Sequence, residues 1–545
     1  MSNLFSRWQL LLLFASLALL LMMMFFPFGY DQSVFMVGGE MTIKNGAIPY
    51  RDFIDTKPPL IFYIYGIVST IFGHHEWSIR LFDILFHIAT LTYFYFILER
   101  ISKKKSVAVL GIFLYVLMYV SMGFWMTSQA ESFALLPSLV AFDFTERSIF
   151  AGSSPRSRIW IYGVVTGITC AVLCLLKFTL ITVPIGILVY ILLSHKQFRH
   201  LPWRFLTGFL ISLILLMSAY GVYLYLTGSL TKFFEALKWV GSYANVNPLL
   251  SHETVKERYW KLFPARLLET FSLTAVAIAC FGIFKSLKRP LTNLNDTDED
   301  QPRPYLHLCI QLFLGLVSVL FERKFFEYHY TRVLWCIIPF VSIGAIVLLK
   351  EITVQLSNWR KLPIFAKAIR YACTLPILVV IIFYSPAVHF FPQVYIWTYL
   401  TLTGKDVGVQ AESAGAQYFY KEAQDLSGML RSRLNHQDAV FLWGNSVELY
   451  FFLDQLPRTL CLSNTPFVTN WTPESWHDEL IQQLQLQKPK IFVCEFGDER
   501  PYLTGDTQDS WTHLQSSPAL KAFVDQKYHL LEVSGHFKVF ERIDP

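Results

Sequence analysis

Between residues 8 and 396 the chain returns repeatedly to apolar runs long enough to cross a bilayer, and after residue 396 it stops doing so. A crossing helix needs about 20 apolar residues, because the hydrocarbon core offers its backbone no other hydrogen-bond partner. Composition agrees: of 545 residues 54% are hydrophobic and only 16% charged, against about 25% charged in ordinary soluble domains. The pattern predicts a polytopic α-helical membrane protein followed by a soluble domain. Eleven spans are expected, at 8–28, 79–98, 106–125, 128–145, 159–176, 178–194, 205–226, 266–284, 305–321, 332–349 and 372–396. The first run follows a short basic start but is longer than a signal-peptide core and lacks a small-residue cleavage site, so it reads as a retained span. The net charge of +6 is modest and sits mostly in short loops, which argues against nucleic acid as a partner.

Orientation follows from those loops. With the N-terminus inside, Arg100 and Lys103 to Lys105, then Arg147, Arg156, Arg158 and later basic clusters all fall on the cytoplasmic side, as the positive-inside rule requires. An odd number of spans then puts residues 397–545 outside. LIFYIYGIVSTIFG (60–73) has fourteen residues, nearer the length of an interfacial helix than of a span. Counting it as a span would turn the triple-lysine loop outward. Residues 29–77 therefore read as one external loop, containing a short helix over 31–46 and a second one opening at Pro58 and Pro59.

Within that loop, YRDFIDTKPPL (50–60) is the most informative stretch. Proline is tolerated in a helix's first turn, and the residue before a proline is pushed toward extended geometry. Lys57 is thus held just outside a helix N-terminus, whose free N–H groups and partial positive charge favour an anion. A phosphate at headgroup depth is one reading; a snorkelling anchor is the other. Asp31 either caps the helix that follows it or acts chemically. Glu131 sits in an apolar run, where a carboxylate is expensive and tends to be functional, or serves as the buried partner of a lysine. Arg80 and Asp83 are three apart and can pair on one helix face, giving Asp83 a structural role. His74 and His75 read as loop residues, since a histidine pair without acidic company is weak evidence for a metal.

The order YDQ…IKNGAIPYRDFIDTKPPLIFYIYG…FG…SIRLFD resembles the N-terminal signature of the GT-C glycosyltransferases, in particular the bacterial lipid A aminoarabinose transferases and protein O-mannosyltransferase relatives. The matching positions are Asp31, Gly46 to Tyr50, Lys57 to Pro59, Phe72 with Gly73, and Arg80 with Leu81. AESFALLP (130–137), LLKF (175–178) and KFFEYHYTRVLWCIIPF (324–340) resemble further family segments. The resemblance implies a GT-C-like transmembrane catalytic domain over 1–396 and an enzyme of the bacterial inner membrane. Such an enzyme moves a sugar from a polyprenyl-phosphate donor to a hydroxyl of a lipid, glycan or protein acceptor on the outer face. In that reading Asp31 and Glu131 are catalytic. Lys57, Arg80, Lys177, Arg323, Lys324, Tyr328, His329 and Tyr330 bind the donor phosphate among membrane lipids. Gln32 and Thr56 stand where relatives carry acidic residues, so no metal or other cofactor is expected. A transporter or flippase of a lipid-linked or anionic substrate is the alternative, although related halves and broken midplane helices are not evident.

Residues 397–545 read as an extracytoplasmic α/β domain: strands at DAVFLWG, RTLCLS and KIFVCEF, helices at SVELYFFLD and PESWHDELIQQLQLQ, and a closing hairpin around Ser534 and Gly535. Cys461 and Cys494 fall in strand-like runs and are expected as buried thiols. The domain is expected to act as a lid or acceptor-docking module.

Overall fold

The computed structural model describes residues 6–149, 156–194, 203–246, 255–288, 303–359, 396–405, 407–414, 418–435 and 437–543. In chain order the first helices are α1 (Arg7–Met22), α2 (Tyr30–Lys44), α3 (Leu60–Phe72), α4 (Glu76–Ser102), α5 (Lys105–Ser121), α6 (Gly123–Met126), α7 (Ala130–Phe133) and α8 (Leu135–Ile149). They are followed by α9 (Arg156–Leu176), α10 (Thr182–Ser194), α11 (Trp203–Leu226), α12 (Leu230–Asn245), α13 (Val255–Lys288), α14 (Arg303–Glu322) and α15 (Thr331–Trp359). The chain divides into two compact units, one of residues 1–24, 83–216 and 259–398, the other of residues 25–82, 217–258 and 399–545.

Six helical segments among the described residues are long and apolar enough to cross a membrane: Arg7–Phe25, Glu76–Ser102, Ser157–Leu176, Trp203–Leu226, Pro304–Glu322 and Glu327–Lys350. The bent pair Lys261–Phe271 and Thr274–Leu287 makes seven if it counts as one crossing. Eleven were expected, and the difference has local causes. Apolar helices over Lys105–Ser121 and Phe178–Ser194 are shorter than a full crossing. The run 128–145 opens on irregular backbone, extended at Thr127 and Gln129 and left-handed at Ser128 (φ 58°), so its helical part starts at Ala130 and is divided at Ala134 between the short α7 and α8. The expected span 372–396 lies almost wholly outside the described residues.

In the first unit α1 packs on α5, α5 on α15, and α8 on α9. Glycines allow the close crossings: a Cβ at Gly163 would sit 2.2 Å from the Phe205 carbonyl oxygen. Asp83 is fully buried and accepts from Tyr119 Oη at 2.6 Å and Ser128 Oγ at 2.9 Å, beside His87, so its structural role holds through partners on neighbouring elements.

The second unit joins the loop helices α2 and α3 to α12 and to the C-terminal region. A division of the chain at 396 is the sequence expectation; in the structure residues 399–545 form one unit together with residues 25–82 and 217–258. Helices α2 and α3 bury Val34, Phe35, Ile61, Phe62 and Tyr65 against one another. They touch backbone to backbone at Gly39 and Gly66, where a Cβ on Gly66 would come within 2.2 Å of the Gly39 carbonyl oxygen. The tail carries a four-stranded sheet of β1 (Val440–Trp443), β2 (Ile491–Glu495), β3 (Tyr528–Ser534) and β4 (Phe537–Arg542), in the order β1-β2-β4-β3. Strands β1 and β2 are parallel and the rest antiparallel, as the alternating pattern predicts. RTLCLS is not a strand; only Cys461 bridges, to Ile54. Both tail cysteines are buried free thiols. Helix α12 lies where the sequence reading places no element. It buries Phe233, Ala236 and Trp239, and its Glu235 accepts from Trp476 Nε1 at 2.7 Å.

Candidate functional site

The loop site is built around Lys57. Pro59 takes the N-cap position of α3, and Lys57 precedes it as expected. Both ends of Lys57 are fixed: its N–H donates to Asp55 Oδ1 at 2.8 Å and its carbonyl accepts from Tyr50 Oη at 2.7 Å. The ammonium lies 5.3 Å from the Phe35 ring centre and 3.5 Å from Asp31 Oδ2. Asp31 is not the cap of α2. Gly29 is, and Gln32 Oε1 accepts the Gly29 N–H at 3.0 Å. Gln32 thus closes the helix end, leaving Asp31 in the first turn to meet Lys57.

Asp55 supplies a carboxylate beside the lysine that sequence reasoning left unused. Burial pushes its carboxyl up to about 6; Lys57 pulls it down and Asp31 pushes it further up. The tail reaches the same loop. Ile54 N–H donates to the Leu460 carbonyl at 3.0 Å, Tyr30 Oη donates to Ser463 Oγ at 2.8 Å, and the Arg500 guanidinium lies 5.0 Å from the Tyr30 ring centre. Burial pushes the Tyr30 phenol up to about 12, so it remains a hydrogen-bond donor at neutral pH.

Arg80 is fully buried, with its guanidinium on the Pro27 carbonyl at 2.6 Å and near the Phe26 ring. It ties down the backbone leading into α2. His74 does have acidic company: Nδ1 lies 2.8 Å from Glu40 Oε1, while Nε2 reaches the Phe451 carbonyl at 2.8 Å. Burial would raise the Glu40 carboxyl, but hydrogen bonds from His74, Lys44 and Ser69 outweigh it and hold Glu40 at about 2.

The first unit gathers a second group. Lys177 lies between α9 and the turn Phe178–Ile181, and its ammonium is 2.5 Å from Glu131 Oε1 and 3.0 Å from Glu322 Oε2. Arg332, in the first turn of α15, reaches the same two carboxylates at 2.7 and 2.6 Å. His329 Nδ1 lies 2.9 Å from Glu322 Oε2, and the Tyr328 ring centre is 5.1 Å from the Lys177 ammonium. Two anions and two cations therefore neutralise each other out of water, the condition under which a buried charge is tolerated. Glu131 takes the place its sequence alternative foresaw, as a lysine's buried partner. For Arg332 the sequence carries one signal, a charge in the first turn of an apolar helix, and for Glu322, at the end of α14, it carries none as specific.

Lys324, Tyr328, His329 and Tyr330 are all buried, Tyr328 and His329 against this group, and Arg323 takes a left-handed conformation (φ 61°) at the turn after α14. Tyr330 Oη donates to the Phe263 carbonyl at 3.2 Å. Glu131, Glu322 and His329 bring ligand atoms within 4.8 Å of one another. That spacing could hold a divalent cation, yet both carboxylates already carry Lys177 and Arg332, which an ion would have to displace.

Residues 56–220 match the family model described as dolichyl-phosphate-mannose-protein mannosyltransferase. No curated protein sequence matches the chain. Among solved structures, ArnT from Cupriavidus metallidurans bound to undecaprenyl phosphate aligns with a TM-score of 0.59 at 12% identity, over 98% of this chain and 98% of that one. Its apo state aligns with the same score and identity over 98% and 97%. The archaeal oligosaccharyltransferase AglB from Archaeoglobus fulgidus, in complex with an inhibitory peptide and a dolichol-phosphate, aligns with a TM-score of 0.53 at 11% identity, over 90% of this chain and 69% of that one. With the family match opening one residue before Lys57 and the fold shared along almost the whole chain, the protein resembles the GT-C membrane glycosyltransferases.

Proposed function

We propose that the protein is a glycosyltransferase that takes a sugar from a polyprenyl-phosphate donor and passes it to an acceptor hydroxyl at the outer face of the membrane. The observation that carries this reading is the Lys57–Asp31 pair, a cation and a carboxylate 3.5 Å apart and only partly exposed. A lipid-linked sugar phosphate is already an activated electrophile. The protein must neutralise the leaving phosphate and remove a proton from the acceptor. Lys57 performs the first task, and its fixed backbone spares the entropy of placing it. Asp31, as general base, performs the second, and the single contact of 3.5 Å between the two groups must open for a substrate to bind both. The tail contributes by holding the Tyr50–Lys57 segment through Ile54 and Tyr30 through Ser463, and serves as the acceptor-docking module.

The test is transfer from a polyprenyl-phosphate sugar by the detergent-purified protein and by its Asp31→Asn variant. The amide keeps the size of the side chain but cannot take the proton. Loss of a general base costs about 10² to 10⁴ in rate, so the variant should fold, bind donor and fail in transfer. Transfer at the wild-type rate would remove Asp31 from the mechanism.

A further inference from the structure

Another polar cluster stands toward the C-terminal end of α8, the helix after the one that carries Glu131, and takes no part in the proposed transfer. Helix α4 carries Arg100 in its last turn and α8 carries Arg147 in its last turn, where a cation suits the negative end of a helix. Between them stands Asp143, fully buried. It accepts from Arg100 Nη2, from Tyr93 Oη and, at 2.8 Å, from Arg147 Nε. One carboxylate thus holds two guanidiniums at fixed positions, and the trio keeps a net positive charge. The arginine side chains remain 41% and 50% exposed, and their remaining N–H groups have no partner among the described residues. Lys103, Lys104 and Lys105 follow in the adjoining turn and are all exposed. Tyr305 Oη donates to the Ile101 carbonyl at 2.9 Å, so the start of α14 stands at this same end of the unit.

Snorkelling asks only that a flexible chain reach water; it does not need a buried carboxylate. Asp143 offsets only one of the two charges it holds together, so the half-exposed pair keeps one positive charge that an anion from outside would complete. Guanidinium matches the oxygens of a phosphate ester by paired hydrogen bonds, and basic clefts at the ends of membrane helices suit acidic lipid headgroups. We propose that Arg100 and Arg147, held by Asp143, form a binding site for the phosphate of an anionic phospholipid. The shared chemistry is a phosphate monoanion, which free phosphate also offers.

The test uses the full-length protein in neutral detergent, with lipid retention read by native mass spectrometry and unfolding midpoint read during titration with phosphatidylglycerol, phosphatidylcholine or inorganic phosphate. Phosphatidylglycerol should be retained and raise the midpoint, while phosphatidylcholine should do neither. The triple variant Arg100→Gln, Asp143→Asn, Arg147→Gln removes the three charges together and leaves no buried carboxylate unpaired. It should unfold cooperatively and bind phosphatidylglycerol about tenfold or more weakly. Should the triple variant not fold, Arg147→Gln, which alters one half-exposed side chain, should show a smaller loss of the same sign. Equal retention of both lipids, or equal phosphatidylglycerol binding by variant and wild type, would reduce the cluster to a staple between α4 and α8. An equal midpoint shift with inorganic phosphate alone would overturn the lipid assignment in favour of a soluble anion.

Discussion

Lys57 Nζ stands 3.5 Å from Asp31 Oδ2, with 17% and 20% of the two side chains exposed. The contact is loose enough for the lysine to exchange its carboxylate for a phosphate. A charge-assisted contact of that kind contributes about 1.5–3 kcal/mol. Lys57→Ala should therefore lower donor binding or turnover by tenfold or more with little effect on folding, and Lys57→Arg should keep part of the activity because the charge remains while the geometry changes. Donor titration of the two variants checks this, and wild-type turnover by Lys57→Ala would return the lysine to an anchoring role.

The crossing of α2 and α3 sets the distance between those residues. Gly39 and Gly66 meet at a separation that leaves no room for a methyl group. Gly66→Ala must push the helices apart, and overpacking of this kind costs about 1–3 kcal/mol. Transfer activity should fall in that variant although no charged group has changed. A Gly66→Ala protein with the unfolding midpoint and activity of the wild type would contradict the packing described.

Glu131, Glu322, Lys177 and Arg332 should behave as one unit toward mutation. Removing one partner of a buried ion pair leaves an uncompensated charge and costs about 3–5 kcal/mol. Arg332→Leu should accordingly lower the unfolding midpoint sharply. The pair of changes Arg332→Leu with Glu131→Leu should recover much of the loss, since net neutrality returns. Thermal unfolding of the single and double variants measures the coupling.

Glu40 and His74 give a pH dependence with a definite sign. The Glu40 carboxyl is held at about 2, below its ordinary 4.5, so its contribution is fully present above pH 4.5 and is lost as pH falls toward 2. His74 is raised: burial opposes its charged form, but Glu40 outweighs burial. Its contribution is present below about 6.5 and is lost as pH rises through the folded value. Glu40→Gln should be less stable than the wild type by up to about 3 kcal/mol near pH 5, with the gap closing toward pH 3 and narrowing again above neutrality. Unfolding midpoints of both proteins across that range would test it, and a gap independent of pH would rule out the ionised pair.

Cysteines placed at Lys104 and Lys490 should report opposite sides of the membrane. Cys280 is the exposed native cysteine among the described residues and is replaced first. In intact cells a membrane-impermeant thiol reagent should label position 490 and leave 104 untouched. The reverse pattern would invert the topology.

What the sequence disclosed about the site was what a single segment can carry. Lys57 before two prolines announced a fixed cation and a charge within an apolar run announced Glu131, whereas Asp31 read as a helix cap and gained a chemical role only through the family resemblance. Partners from distant segments were not legible. Nothing near Ile54 indicates Leu460, nothing near Tyr30 indicates Ser463 or Arg500, and Gln32 could be read as a missing acid but not as the cap of its own helix. The sheet was largely readable, since period and turn residues are local. RTLCLS failed as a strand because it has strand-like residues but, apart from the Cys461 bridge to Ile54, no strand beside it to pair with. Hydropathy also does not show that the run 128–145 opens on a left-handed Ser128, nor that its helix is divided into α7 and α8.

The bond from Tyr30 to Ser463 joins positions 433 residues apart. A ribosome adding about 5–20 residues each second completes the second partner roughly 20 to 90 seconds after the first. Throughout that interval the loop bearing Asp31 and Lys57 is already synthesised while the tail that braces it does not yet exist. Nascent chains halted before residue 460 should therefore leave this loop open to protease at Ile54 even where the first spans have inserted. The site is finished last, by the end of the chain, and the enzyme gains its proposed activity only after synthesis is complete.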